Sequence, residues 1–515
     1  MGASQTNSRT EIFIRVSSIK RQSVTILVDF CLFAIKFAYK QIRGSVMQIF
    51  WSALPIVSTV LALLIGLRSL YAASIGVGAA CAAMFFSFTV APNVVISSIA
   101  QWFPLLSEVL LILGGGLFLS SIMKHAGAQA DLAHWIESKS GQGAGAVLMI
   151  VHGITPFAES LTGFGIGVTV GIPLLAHLKL PPKQVGVIGL LGLCAVPWGS
   201  MGPGSLIAAK MSNVSFYGLG THSAVISFIP FVLTGIAAVL LSTPSQGRKH
   251  AISQAIVSGL MLTMAIAGFN LVFGTSAAGA LGSLTIILSR LIRVRKSTSP
   301  PLGRAGRRGL ESYGILLGGV LVVEIILSVV GANENWRYLA SPALWLFVAS
   351  LWFSIGRPVR KPARAAWHAW LQVAPVTALF IMLGVLMAVS GMATFLAQIL
   401  SGIGPSYLLV APFVSGLGGF LTGSNSGANA MLAATQASIA RGMNANIVWF
   451  MAAQNVSAAF FLMASPGKVE MASQLAGCTR KEDKVYLQKT MLIVSISTVF
   501  LVSVFYFFYS ALFQS

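Results

Sequence analysis

Long apolar segments follow one another along this chain, and short polar or basic stretches separate them. Examples are residues 105–123, 217–241, 314–330 and 373–389. Helical segments of about 20 apolar residues match the hydrocarbon core of a bilayer. The pattern therefore predicts an all-α polytopic membrane protein with about 11–13 transmembrane spans.

The first 45 residues do not follow this pattern. The segment is basic, and its apolar stretch at 24–41 contains Asp29, Lys36 and Lys40. Charges within a short apolar stretch favour a helix that lies in the membrane interface. We predict a basic N-terminal segment at 1–45 with an interfacial helix, and a marginal extra span is the alternative.

Two segments, 143–178 and 405–441, run from apolar residues to a polar, glycine-rich tip and back to apolar residues. The tips are "AESLTGFG" at 158–165 and "TGSNSGANA" at 422–430. Polar irregular backbone is not tolerated against lipid, but it is tolerated where it is buried in protein or lines a cavity. The pattern predicts two re-entrant helical hairpins, or broken helices.

The two hairpins are followed by similar sequences. Each precedes a span that ends in a Pro-Gly pair, Pro203-Gly204 or Pro466-Gly467, at the same distance from a tip phenylalanine. Inverted repeats with discontinuous helices are typical of secondary transporters. The chain would then divide into a first repeat, linking spans with a basic cytoplasmic loop, and a second repeat, at residues 46–242, 243–312 and 313–515.

Composition and charge agree with a membrane location. Hydrophobic residues make up 56% of the chain and charged residues 9%, whereas globular domains carry about 25% charged residues. The net charge of +21 would suggest nucleic acid in a soluble chain. Here the basic residues cluster between spans, notably at 289–308 and 357–364, as the positive-inside rule requires. We expect a multi-pass protein of the inner (plasma) membrane that does not bind nucleic acid.

Three acidic residues fall well inside predicted spans or hairpins: Glu108, Glu159 and Glu324. A charge inside the bilayer is costly, which makes each a functional candidate. Glu108 and Glu324 lie in aliphatic helices, where a neutral acid bonded to a neighbouring helix is the simpler interpretation. Glu159 lies at a hairpin tip. Removal from water favours the neutral form of a carboxyl group, so Glu159 could be the coupling acid of a proton symporter.

The second tip has no acid, but it offers hydroxyl and amide groups beside helix N-termini. Such groups suit a small carboxylate, and they can also cap a helix without excluding that role. The substrate-binding candidates are Ser160, Thr162, Gly163, Thr422, Gly423, Ser424, Asn425, Ser426, Asn429, Asn455 and Ser465. Ser200, Ser205 and Gln454 could complete the pocket. Lys468 lies near Arg480, Lys481 and Lys484 in the sequence, so we assign it to the cytoplasmic membrane edge rather than the pocket.

These features favour a secondary active transporter over other classes. A sodium-coupled carrier is the first alternative, because the freed carbonyls and the second tip could hold Na⁺. A membrane-embedded enzyme is less favoured, since no metalloprotease or nucleophile-elbow motif is present and His152 with Glu159 is a weak pair. No cofactor is expected beyond the coupling ion. The expected partners are a small carboxylate and the bilayer, and a homo-oligomer is compatible with the sequence.

The two tips resemble signatures of the L-lactate permease family. The first is a Phe-x-Glu-Gly-x-x-Gly-Phe-Gly stretch, matched at 157–165, and the second is Phe-Leu-Thr-Gly-Ser-Asp-Thr, matched at 420–426 with Asn429-Ala430 downstream. Residues 451–477 also resemble the region that follows in the family. The resemblance implies proton-coupled import of lactate, glycolate or related 2-hydroxy acids. It also implies an ion-transporter-type fold, in which paired hairpins move as an elevator against a scaffold.

The chain departs from the family pattern at the same tips. Ser160 stands where the family has Gly, and Asn425 stands where it has Asp. The family's Gly-Lys before the final Ser-Pro is replaced by "FFLM" at 460–463. The sequence therefore predicts a more apolar pocket without this cation, and a carboxylate whose tail can differ from that of lactate.

Overall fold

The chain is helical throughout the part that the structure describes. The computed structural model describes residues 46–163, 165–293, 301–331 and 333–513. Twelve helices in those ranges are long and apolar enough to cross a membrane, or up to thirteen with the bent pair Phe216–Ile226 and Phe228–Ser242. The predicted all-α polytopic membrane protein is confirmed. The predicted interfacial helix at 24–41 lies outside the described residues.

Helices of the first half and of the linking region follow the apolar segments. They are α1 (Val46–Leu64), α2 (Ser69–Phe86), α3 (Pro92–His125), α4 (Ala128–Ser140), α5 (Ala144–Met149), α6 (Thr155–Thr162), α7 (Ile166–Ala176), α8 (Pro182–Leu191), α9 (Pro203–Ser212), α10 (Phe216–Ile226), α11 (Phe228–Ser242), α12 (Arg248–Phe273) and α13 (Thr275–Arg293). A π-helical turn, Ile150–Ile154, joins α5 to α6, and an irregular 3₁₀ segment, Gly192–Met201, follows α8. Helix α3 begins well before the apolar segment at 105–123, because Pro92 suits a first helical turn and Pro104 lies within the helix.

The second half repeats this order of elements. Its helices are α14 (Arg304–Val330), α15 (Pro342–Ser354), α16 (Arg360–Val389), α17 (Met392–Ser401), α18 (Tyr407–Thr422), α19 (Asn425–Gly442), α20 (Ile447–Phe461), α21 (Pro466–Leu475) and α22 (Lys481–Phe513). Each half has a long helix with an internal proline, a short helix, a helical hairpin, and a helix that breaks before a Pro-Gly pair. The inversion of one half relative to the other stays a prediction.

The hairpin turns lie at glycines of both tips. In the first hairpin, Gly163 and Gly165 have φ of +69° and +82°, a region that favours glycine. In the second, the turn is narrower than the polar tip, because Ser424 caps α19 and the following residues are already helical. Helix α7 has 11 residues and so measures roughly 16 Å, about half the hydrocarbon core. This length supports a re-entrant hairpin, which stays a prediction.

Helices α3 and α16 pack along each other and form a wall beside the tips. Trp370 of α16 donates through Nε1 to the carbonyl of Leu110 at 2.9 Å, and Ser121 Oγ donates to the carbonyl of Pro362 at 2.8 Å. Helix α16 also packs against α19 of the second hairpin. The wall is therefore tied to both halves of the chain.

Candidate functional site

A cavity of about 490 Å³ lies between the α3–α16 wall and the two hairpin tips. The polar and glycine residues among its lining come from both halves of the chain. They are Ser69, Glu159, Gly163, Gly199, Ser200, Gly204, Gln372, Thr377, Thr422, Gly423, Ser424, Asn425, Ser426, Gly427 and Lys468. The cavity brings together segments that are more than 250 residues apart in the sequence, as transporter sites at broken helices do.

Glu159 lies in the last turn of α6, beside the tip of the first hairpin, with 5% of its surface exposed. Its Oε1 accepts a hydrogen bond from the backbone N–H of Gly165 at 3.0 Å, and its Oε2 accepts one from Gly167 at 3.1 Å. These N–H groups belong to the first turn of α7, where the helix dipole favours an anion. The carboxylate of Glu159 therefore caps α7 and closes the tip of its own hairpin.

Ser200 connects the irregular segment after α8 to the same tip. Its φ of +46° places it in the left-handed region, which non-glycine residues rarely adopt. A Cβ added at Gly163 would lie 2.6 Å from Ser200 Cβ, so the two backbones approach closely. Ser200 Oγ is buried and has no hydrogen-bond partner among the described residues. An unusual backbone with an unpaired hydroxyl at a cavity indicates a binding group.

The second tip is held by its own side chains. Thr422 Oγ1 lies 2.8 Å from the carbonyl of Gly418 and 2.9 Å from that of Ser424, and it can donate its proton to one of them at a time. Ser424 Oγ accepts from the N–H of Gly427 at 3.2 Å and so caps α19. These hydroxyls stabilise the turn, and they leave Asn425 and Ser426 facing the cavity at the start of the helix.

Three asparagines form a buried cluster behind the second tip. Asn425 and Asn429 donate to Asn455 Oδ1 at 3.0 and 2.9 Å. Asn455 donates in turn to Ser205 Oγ at 2.8 Å and Ser223 Oγ at 3.2 Å. The cluster joins α19 and α20 to α9 and α10, and it fixes the tip of one half against the broken helix of the other.

The predicted site residues fall into two groups by position. Glu159, Gly163, Thr422, Gly423, Ser424, Asn425 and Ser426 line the cavity. Ser160, Thr162, Asn429, Asn455 and Ser465 are buried outside that lining. Ser160 Oγ lies near Gly279 of α13, and Thr162 donates to the carbonyl of Ala158. The residues of the second group do not face the cavity, and they support the hairpin tips from the protein interior.

The exclusion of Lys468 from the pocket is wrong, because this residue lines the cavity. A Cβ added at Gly165 would lie 3.0 Å from Lys468 Nζ, which places the cation against the first tip. The family's Gly-Lys remains absent from the 460–463 stretch, but Lys468 supplies a cation to the cavity from a different position. Lys468 lies two residues before Glu470, which instead pairs with Lys484 at 2.9 Å.

Sequence reasoning also missed the wall side of the cavity, where Gln372 and Thr377 of α16 face the tips. A glutamine inside an apolar span is a signal that could have marked it. The interpretation of Glu108 agrees with the structure, because it accepts a hydrogen bond from Ser341 at 2.7 Å. His152 contacts Ser258 at 2.9 Å, and the described residues show no pair between it and Glu159.

Comparison with known proteins places the chain among carriers. The family model for L-lactate permease matches residues 337–513. An L-lactate permease of Streptococcus iniae is 26% identical over 350 residues, covering 60% of this chain and 72% of the relative.

Two proteins of Escherichia coli K12 are also similar. Its L-lactate permease is 23% identical over 508 residues, covering 84% of this chain and 91% of the relative. Its glycolate permease GlcA is 32% identical over 97 residues, or 19% of this chain and 17% of the relative. The family match at residues 337–513 and the names of these relatives support the resemblance to the L-lactate permease family, and they indicate a transporter rather than an enzyme.

Proposed function

We propose that the protein imports short 2-hydroxy monocarboxylates, such as lactate or glycolate, by proton symport across the inner (plasma) membrane. The observation that carries the proposal is the convergence of both hairpin tips, one acidic and one rich in hydroxyls and amides, on one cavity. Ser200, Asn425 and Ser426 supply donors for the carboxylate and hydroxyl oxygens of such a substrate. The names of the relatives support the same substrate class.

Proton coupling follows from the charge of Glu159. Two like charges about 6 Å apart repel by roughly 3 kcal/mol at an effective dielectric constant of 20. A proton on Glu159 removes this repulsion toward a substrate anion, so the anion and the proton favour each other's binding. The proton also weakens one of the two hydrogen bonds that the N–H groups of Gly165 and Gly167 donate to the carboxylate, because a neutral carboxyl group is a poorer acceptor. Protonation would therefore loosen the first tip when the substrate is bound.

Sodium coupling is the second candidate, and one feature of the asparagine cluster favours it. Gln454 donates to Asn429 Oδ1 at 3.2 Å, but its own Oε1 is buried and accepts no hydrogen bond among the described residues. Amide oxygens of this kind are ligands for hard cations. A Na⁺ ion beside the second tip would then be the coupling ion in place of the proton.

Uptake by the purified protein in proteoliposomes distinguishes these candidates. Radiolabelled lactate and glycolate are offered with a pH gradient, with a Na⁺ gradient, with both, and with neither. We expect accumulation with the pH gradient alone and no stimulation by Na⁺. Accumulation that needs Na⁺ and ignores the pH gradient would support the second candidate, and no accumulation of either acid would contradict the proposed substrate class.

The two Pro-Gly pairs provide a matched pair of substitutions. A Cβ added at Gly204 would lie 2.7 Å from Asn425 Nδ2 and 3.0 Å from the backbone N of Ser426, whereas one at Gly467 would meet no atom within 4 Å. Overpacking costs about 1–3 kcal/mol, so Gly204→Ala should lower initial lactate uptake roughly tenfold. Gly467→Ala should stay close to the parent protein. Equal uptake by both variants, at equal protein amounts in the vesicles, would contradict the close approach of α9 to the second tip.

A further inference from the structure

Lys468 places a positive charge at the N-terminus of a helix beside the cavity. It lies in the first turn of α21, two residues after Pro466, and its side chain is partly exposed at the cavity. A cation at a helix N-terminus is unfavourable, because the helix dipole is positive at that end. Helix stability therefore does not explain a lysine at this position.

The ammonium group of Lys468 has no direct partner among the described residues. Its Nζ makes no hydrogen bond or ion pair with the described residues. The residue at the helix cap, Ser465, does not cap α21 with its side chain, and its buried Oγ has no partner. A buried hydroxyl without a partner is rare in proteins. Three groups in the described part of the chain therefore have no hydrogen-bond acceptor or negative charge as a partner: the ammonium of Lys468, the hydroxyl of Ser465 and the N-terminus of α21.

The N-termini of α7 and α19, at the two hairpin tips, differ from that of α21. The N-terminus of α7 is occupied by the carboxylate of Glu159, and that of α19 is capped by Ser424. Helix α21 has ten residues, and it combines an uncapped N-terminus with a free cation. Lys468 is also close to the carboxylate of Glu159, which caps the N-terminus of α7. Gly165 lies 3.0 Å from Glu159 Oε1 through its N–H, and a Cβ on it would lie 3.0 Å from Lys468 Nζ.

These links limit the distance between Lys468 Nζ and Glu159 Oε1 to at most about 9 Å, yet the two groups form no ion pair. Both side chains line the cavity of about 490 Å³, which has room for a small anion beside the lysine. The formal charges of the two side chains cancel. A monocarboxylate and a proton that enter together cancel as well, so the loaded and the empty sites carry the same formal charge.

We propose that Lys468 binds the carboxylate of the transported anion, together with the N-terminus of α21. This assignment rests on the proposed function, since it names the cation of the same site. The ammonium group supplies donors and a charge that offsets the carboxylate of Glu159, so the anion can bind before that glutamate is protonated.

Substitutions at Lys468 and at a matched lysine test the assignment in proteoliposomes. Lys468→Met should raise the KM for lactate at least tenfold with a smaller change in kcat, and Lys468→Arg should restore much of the affinity. Lys484→Met removes the same charge from α22, outside the cavity, and should leave the KM within twofold of the parent. An unchanged KM in Lys468→Met would overturn the assignment. Absence of lactate and glycolate uptake by the parent protein would instead contradict the proposed function.

A cysteine at the same position separates charge from packing. In Lys468→Cys, 2-aminoethyl methanethiosulfonate places an ammonium group at this position, and 2-sulfonatoethyl methanethiosulfonate places a sulfonate there. We expect the first reagent to lower the KM for lactate toward the parent value and the second not to. Lactate should also slow both modifications, and the parent protein treated in parallel accounts for its native cysteines. Equal effects of the two reagents, or no protection by lactate, would overturn the assignment.

Discussion

Glu159→Gln is expected to abolish lactate uptake driven by a pH gradient, with at least a hundredfold loss of initial rate. Glutamine cannot bind and release a proton at this site, so the substrate loses its coupling partner. Both carboxylate oxygens also accept backbone N–H groups, from Gly165 and Gly167. The amide group of glutamine offers only one oxygen as an acceptor. Its NH₂ group is a donor and would face the backbone N–H of Gly165 or Gly167, which is also a donor. A hundredfold effect corresponds to roughly 2.7 kcal/mol, the size of about one hydrogen bond to a charged group.

The measurement is initial uptake of radiolabelled lactate at several pH gradients, with lactate exchange at equal pH followed in the same vesicles. Glu108→Gln is the matched control, because Glu108 is also an intramembrane glutamate and accepts a hydrogen bond from Ser341. The oxygen of glutamine can accept that bond, so uptake by this control should stay within twofold of the parent. If Glu159→Gln responds to the pH gradient as the parent does, the coupling role of Glu159 is wrong.

The sequence was sufficient for the spans and for the positions of the hairpin tips. Long runs of apolar residues predict the spans, and glycines flanked by polar residues in an apolar setting predict the turns. The first turn lies at Gly163–Gly165 and the second at Gly423–Ser424, within the predicted tips. Local sequence determines these features, which explains why they could be predicted.

The direction of each side chain could not be predicted from the tip sequence. Successive residues of a helix point about 100° apart. Glu159 of α6 faces the cavity, whereas the adjacent Ser160 faces α13 near Gly279. Such a difference depends on how the hairpin packs against its neighbours. The same limit explains why the wall residues of α16 were missed.

Lys468 shows a second limit, which concerns the meaning of charge in sequence. Two of the basic residues that follow it along the chain, Arg480 and Lys484, form ion pairs with Asp483 and Glu470. Lys468 is separated from them by helix α21 and lies at its other end, against the first hairpin. Proximity in sequence suggested one shared environment for these cations, but the break before Pro466 places them in two.

The second prediction of large effect concerns Asn455, which connects four helices. Asn455→Leu keeps the size of the side chain and removes every hydrogen bond that the amide group of Asn455 makes. Asn425 and Asn429 then lose an acceptor, and Ser205 and Ser223 lose a donor. Buried polar groups without a partner cost about 1–3 kcal/mol each. We expect a loss on the order of 3–5 kcal/mol in stability, since such costs do not add fully.

This loss should appear as a lower apparent melting temperature in detergent and as lactate uptake near background. Ser457→Ala is the matched control on the same helix. Ser457 is fully buried, but its hydroxyl has no hydrogen-bond partner among the described residues, so its removal should leave the melting temperature unchanged or slightly raised. If Asn455→Leu melts at the temperature of the parent, the cluster does not hold the second tip against α9. A melting temperature that falls while uptake persists would show instead that the tip keeps its geometry without the cluster.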